Sequence, residues 1–170
     1  MKKILSLALT SFLLLASCSV FGKLSETEYN NTVVDGINNT SIAIESSATL
    51  YNETIPDLVT EGSAIDTTEM NTSYVTAKDT LTEVEALLLL ESRNIEQQNS
   101  VRTEIQTYQS AANNYLDIYE EMLDYYQNKV YVEDVTKVES YDESLHTSYT
   151  TFIQANNDLV EILESYVSSK

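Results

Sequence analysis

In 170 residues the sequence has one cysteine, one histidine, one proline, three glycines and no tryptophan. Each shortage excludes something. A lone cysteine closes no internal disulfide and supplies no multi-thiolate zinc site. Gly and Pro punctuate all-β chains at their turns. Here neither occurs from residue 63 to residue 170, so a strand-rich fold has no residues to turn its corners. Basic side chains are scarce too: 9 Lys and Arg stand against 27 Asp and Glu, for a formal charge of −18. That balance argues against nucleic acid, whose phosphates need Lys and Arg. It also argues against electrostatic docking on anionic lipid. A basic partner or loosely held divalent cations remain compatible with it. No Gly-rich phosphate loop is present, and no Gly-rich elbow surrounds any serine.

The amino end is different in kind. Met1-Lys2-Lys3 precedes an apolar run from Ile4 to Ala16. A positive start, an apolar segment and small residues before a cut site make up a secretory signal peptide. The charge-free stretch from Ile4 to Gly22 is 19 residues. That is barely long enough to cross a bilayer, so an uncleaved signal anchor is the alternative.

At the end of this run stands Leu15-Ala16-Ser17-Cys18. The tetrad resembles the lipobox of bacterial lipoproteins: Leu, two small residues, then Cys. The resemblance covers residues 1–18 and implies that Leu15, Ala16 and Ser17 direct a dedicated signal peptidase. It implies a diacylglyceryl group on the Cys18 thiol, with N-acylation of the new amino terminus as a further possibility. It also implies a cell-envelope address, lipid-anchored on the outer face of the plasma membrane or to the outer membrane. The Ser19 that follows resembles the residues permitting outer-membrane transfer in enteric bacteria. The competing reading is an incidental thiol beside an ordinary signal peptide. Two acyl chains bind a bilayer far better than one, each buried CH₂ contributing ~0.8 kcal/mol. No other cofactor is expected.

The expected division is therefore a signal peptide over 1–17, a lipidated cysteine and short tether over 18–25, and a bundle domain over 26–170. Without Lys2 and Lys3 the mature chain has 7 basic and 27 acidic side chains, a formal charge of −20. Self-repulsion on that scale keeps a small domain soluble.

Apolar spacing in the mature part is helical. The stripes run Val34, Ile37, Ser41, Ile44, Ala48, Tyr51, Ile55; then Met70, Tyr74, Ala77, Leu81, Val84, Leu88, Glu91, Ile95. A third runs Val101, Ile105, Tyr108, Ala112, Tyr115, Tyr119, Met122, Tyr126; a fourth runs Leu145, Tyr149, Phe152, Asn156, Leu159, Leu163, Tyr166. Steps of three and four put each set on one helix face. The spacing predicts helices over 26–55, 66–92, 95–129 and 136–167. The fold class is all-α: an antiparallel bundle of three to four long helices with coiled-coil-like packing.

Capping signals agree: Ser25 with Glu28, Asp66 with Glu69, Asn94 with Gln97, and Thr136 with Glu139. The first helix is the weakest, because Asp35-Gly36 is a turn signal and Gly disfavours a helix interior. A start near Ile37 is the alternative. Pro56 to Ile65 reads as the clearest loop. One continuous helix through Ser92–Ser100 is the alternative to separate second and third helices. The sequence has no internal repeat.

Candidate chemistry is thin. Glu143-Ser144-Leu145-His146 matches the Glu-x-x-His of carboxylate-bridged di-metal bundles. Leu145 takes the core register, however, so Glu143 points outward and His146 sits on the flank. A second such motif is impossible with one histidine. Glu143 and His146 are therefore weak metal candidates, and no metal site is expected. Lipidated Cys18 forms no Cys–His pair, and Glu120 and Glu121 read as a solvated face. No catalytic residue is expected.

Among twelve tyrosines, Tyr108, Tyr115, Tyr119 and Tyr126 fit the core register. The small residues Ser41, Ala48, Ala77 and Ala112 leave room for their rings. Tyr125 and Tyr131 fall outside the stripe and read as a possible interaction surface. Asn156 occupies a core position, where it either fixes register or lines a polar cavity.

The functional expectation is a membrane-anchored extracytoplasmic lipoprotein that is not an enzyme and has an interaction, spacer or envelope-associated role. Its partners are the bilayer, through acylated Cys18, and an envelope protein or other basic partner. The alternatives are a bundle that binds or senses a small ligand, with Ser41 and Asn156 at one level, and a metal-binding bundle.

Overall fold

The computed structural model describes residues 22–61, 65–128 and 137–167. The lipobox, Cys18, Tyr131 and Thr136 lie outside them. The described residues form four helices: α1 (Glu26–Glu61), α2 (Thr68–Val84), α3 (Ile95–Gln127) and α4 (Val138–Val167), with a 3₁₀ segment, Glu85–Leu89, continuing α2.

Cross-helix pairs fix the topology. Tyr108 of α3 meets α1 at Ile37 and Ser41, and Tyr119 meets it at Ser47, so α1 and α3 run parallel. Asn30 meets Leu163, Ser41 meets Asn156 and Tyr51 meets Asp142, so α4 runs against α1. Lys78 meets Asp117, and Tyr74 stacks on Tyr119, so α2 runs against α3. This is an up-down-up-down bundle. The α3–α4 and α1–α2 seams are the closest, and the α1–α4 seam is thinner.

The core carries the expected stripes, most completely in α3. All eight of its stripe positions, from Val101 to Tyr126, are buried. Rings fill the α3–α4 seam: Tyr108 against Phe152 at 5.2 Å, Tyr115 against Tyr149 at 5.8 Å, Tyr125 against Tyr141 at 5.3 Å between centroids. Such pairs add about 0.5–1.5 kcal/mol each beyond the area they bury.

Helix α1 begins at Glu26, as the spacing predicts, and runs through Gly36. Its start is a full capping box: Ser25 Oγ accepts from the Glu28 amide at 3.3 Å, and the Ser25 amide donates to Glu28 Oε2 at 2.9 Å. Gly36 marks a close approach of helices and no turn. A Cβ there would lie 2.7 Å from Leu87 Cδ2. The buried face of α1 passes through Tyr29, Val33 and Ile37, leaving Val34 43% exposed. Either valine fits a step to Ile37, and the facing helices select Val33. Helix α1 also continues past Pro56, where a loop was expected, to Glu61. A proline removes one helical hydrogen bond and strains another turn without forbidding the helix.

Helix α2 starts at Thr68, with no side-chain cap from Thr67. Asp66 Oδ1 instead accepts from the Thr68 amide and hydroxyl, at 3.0 and 2.6 Å. The expected Asp66–Glu69 box is thus replaced by a local turn. The helix tightens to 3₁₀ at Glu85 and ends at Leu89, so α2 and α3 are separate. Val84, Leu87 and Leu90 are buried at spacing three, the 3₁₀ period. Leu88 is only half-buried, and Glu91 and Ile95 are exposed.

A polar clasp closes this end of the bundle. The Leu24 amide donates to Glu91 O and the Arg93 amide to Leu24 O, both at 2.8 Å. Below them Gln97 is fully buried. Its Nε2 donates to Asn30 Oδ1 at 2.7 Å and Glu26 O at 3.0 Å, and its Oε1 accepts from Ser92 Oγ at 2.6 Å. Asn94 caps α3, accepting from the Glu96 and Gln97 amides. Gln97 therefore serves the clasp and does not reach back to Asn94. Residues 23–25, expected as tether, belong to the folded unit.

Candidate binding recess

The α1–α4 seam opens into a recess of about 170 Å³. Helix α1 contributes Ala48, Tyr51 and Asn52, spaced for one face. Helix α4 contributes Asp142, Leu145, His146 and Tyr149, again one face, and Tyr115 of α3 joins the lining from across the bundle. The hollow follows from side-chain size. Ala48 stands where a large residue would fill the gap, and this seam is the looser of the two that α4 makes.

The hydroxyls are already committed. Tyr51 donates to Asp142 Oδ1 at 3.0 Å. Ser47 Oγ lies 3.0 Å from the Tyr115 hydroxyl and itself donates to Ile44 O, so Tyr115 is the donor of that pair. Burial raises the Tyr51 phenol, and the Asp142 carboxylate raises it further. Burial also raises Tyr115. Tyr149 rises by burial and by the nearby Glu45 charge. These phenols stay protonated at neutral pH. The lining has no Ser, Thr, Cys or Lys nucleophile. The recess therefore presents ring surfaces, one carboxylate and two polar rim groups.

Ser41 and Asn156 do lie at one level, bonded at 3.0 Å, but the Tyr108 hydroxyl closes on Ser41 at 2.9 Å. That level is crossed by a ring and its hydrogen bonds. The recess lies about 15 Å further along α1, at Tyr51 and Asp142.

The structure separates the metal candidates. Glu143 is exposed and takes no part in the recess, while His146 lies on its rim beside Asp142, one turn away. Among the described residues no group of three or more His, Cys, Asp and Glu side chains is placed to hold a metal ion. Tyr125 offers no surface: it is 5% exposed, packed between Tyr126 and Tyr141. It falls beside the α3 stripe because α3 buries both flanks of that stripe: Ala111 and Tyr125 on one side, where Tyr125 meets Tyr141, and Leu116 and Leu123 on the other.

Sequence reasoning missed the Tyr51–Asp142 pair. The signal was there: stepping back three residues from Leu145 along the α4 stripe reaches Asp142. Among the described residues no helix is long and apolar enough to cross a membrane. No family model, curated protein or solved structure matches the chain.

Proposed function

We propose that the chain is a lipid-anchored extracytoplasmic protein, held in a bacterial cell envelope through acylated Cys18, with a non-catalytic interaction or spacer role. The observation that carries this reading is Leu15-Ala16-Ser17-Cys18 at the end of a signal-like apolar run, followed within a few residues by a folded acidic bundle. The clasp supports it. Leu24 is bonded on both sides to the α2–α3 connection. Five residues lie between it and Cys18, a reach of at most about 20 Å. An anchor at Cys18 thus keeps the clasped end near the lipid and points the opposite end outward. Helices of 30 to 36 residues extend roughly 45–55 Å at 1.5 Å per residue.

The acidic surface supports a basic protein partner over the membrane surface itself.

Detergent phase separation tests the anchor. The wild-type protein is expected in the detergent phase and Cys18→Ser in the aqueous phase, with equal helix content. A wild-type protein that partitions into the aqueous phase contradicts the anchor.

A further inference from the structure

We propose that the recess between α1 and α4 is a binding site for a small methylated ammonium head, with Asp142 as counter-charge and Tyr51, Tyr115 and Tyr149 as aromatic walls. It stands independently of the anchor: the site would work in a soluble or a lipidated chain.

Charge is the first argument. Asp142 lies in the lining, which contains no Lys or Arg. Glu45 adds negative potential at Tyr149, and the chain as a whole carries −18. An anion entering this field is repelled. It would also find the Tyr51 and Tyr115 protons already taken by Asp142 and Ser47. A cation meets the reverse: a carboxylate and phenol oxygens with free lone pairs.

Shape and surface choose among cations. The Tyr115 and Tyr149 rings stand 5.8 Å apart at 56°, making a corner, and Tyr51 joins the lining from the other helix. Aromatic faces attract cations, most strongly when the ion is poorly hydrated, as a quaternary ammonium is. Leu145 and Ala48 give methyl groups an apolar contact. A metal ion gains nothing from those walls, and it finds only Asp142 and His146 as possible strong ligands. The volume of about 170 Å³ is below the ~300–1,000 Å³ of pockets that enclose drug-sized molecules. It suits a head group and excludes a nucleotide.

Such a head could come from a free solute such as choline or from a phosphocholine-bearing lipid or polymer. The shared chemistry is the methylated ammonium, and the test separates the sources. The full chain in maltoside micelles is titrated with tetramethylammonium, choline and glycerophosphocholine, following the ring protons of Tyr149 and His146 by NMR. Tetramethylammonium is expected to saturate these signals with a dissociation constant on the order of 1 mM. Asp142→Asn should weaken it about tenfold and Tyr149→Leu about fivefold. Circular dichroism checks that both variants remain helical. Either order of affinity for choline and glycerophosphocholine supports the site and names the source. Equal binding of the neutral analogue 3,3-dimethylbutanol overturns the proposal, because the recess is then merely apolar. It is also overturned by no saturable shift with tetramethylammonium, by binding unchanged in both variants, or by stoichiometric zinc binding at Asp142 and His146 without ammonium binding.

Discussion

The hydroxyl of Tyr108 lies 2.9 Å from Oγ of Ser41, on the facing side of the bundle. It also reaches Ile37 O at 3.2 Å, and Ser41 passes its own proton to Asn156 Oδ1 at 3.0 Å. Three helices thus meet in one hydrogen-bonded line through the core. Tyr108 is fully buried, so removing its oxygen breaks this line inside the core and leaves a polar gap beside Ser41 and Ile37 O. Tyr108→Phe should cost about 1–3 kcal/mol, read as a lower denaturant midpoint with an unchanged slope. An unchanged midpoint would mean that the line contributes nothing.

Buried phenols make stability depend on alkaline pH. An unfolded tyrosine ionises near pH ~10. Burial pushes Tyr108 up to about 12, partly offset by its Ser41 and Thr40 hydroxyl contacts. Burial raises Tyr51, Tyr115 and Tyr119 as well. The folded state therefore holds these protons more tightly than the unfolded state, and stability falls as pH rises. The contribution is complete below ~10 and is lost as pH climbs through the folded values. Tyrosinate absorbance and far-ultraviolet circular dichroism should change together in one cooperative step. Ionisation of most tyrosines with the helices intact would contradict this account.

Gly36 and Leu87 are predicted to be coupled. A side chain at 36 points at a leucine that is fully buried. Gly36→Val should cost about 1–3 kcal/mol through overpacking, despite leaving a residue with better helix propensity than Gly. In a Leu87→Ala background the same change should cost clearly less. A double-mutant cycle with no interaction energy would show that the two do not meet.

The clasp predicts a local effect. Gln97→Leu removes three hydrogen bonds inside the protein and strands Ser92 and Asn30. A loss of about 2–3 kcal/mol is expected. Faster hydrogen exchange at the Leu24 and Arg93 amides should accompany it, since those bonds rest on the same connection. Exchange that accelerates evenly along the chain would argue against a distinct clasp.

Much of this fold was legible in the spacing. Helix α3 gave every stripe position correctly because its apolar residues alternate cleanly with Asn, Gln, Glu and Thr. Helix α1 was ambiguous because Val33 and Val34 both fit a step to Ile37, and only the facing helices decide. The end of α2 was masked by four consecutive leucines, Leu87 to Leu90, which hide where the face turns. Leu89 emerges 79% exposed, and the spacing of Val84, Leu87 and Leu90 marks the change of period. The recess was hardest to see. It depends on a small residue, Ala48, and on a carboxylate that shares a face with core leucines. Position along one helix does not reveal which level of a seam is left unfilled. Glu143 looked like the acidic partner of His146, yet it lies on the exposed flank of α4 away from the recess, and Asp142, four residues before His146, takes that place.

Intact mass spectrometry of the protein extracted from its membrane tests the central claim most directly. The account predicts a chain beginning at Cys18 that carries a diacylglyceryl adduct on that residue, with or without a further N-acyl group. A chain beginning at Met1, or at any residue other than Cys18, without acyl mass would contradict it.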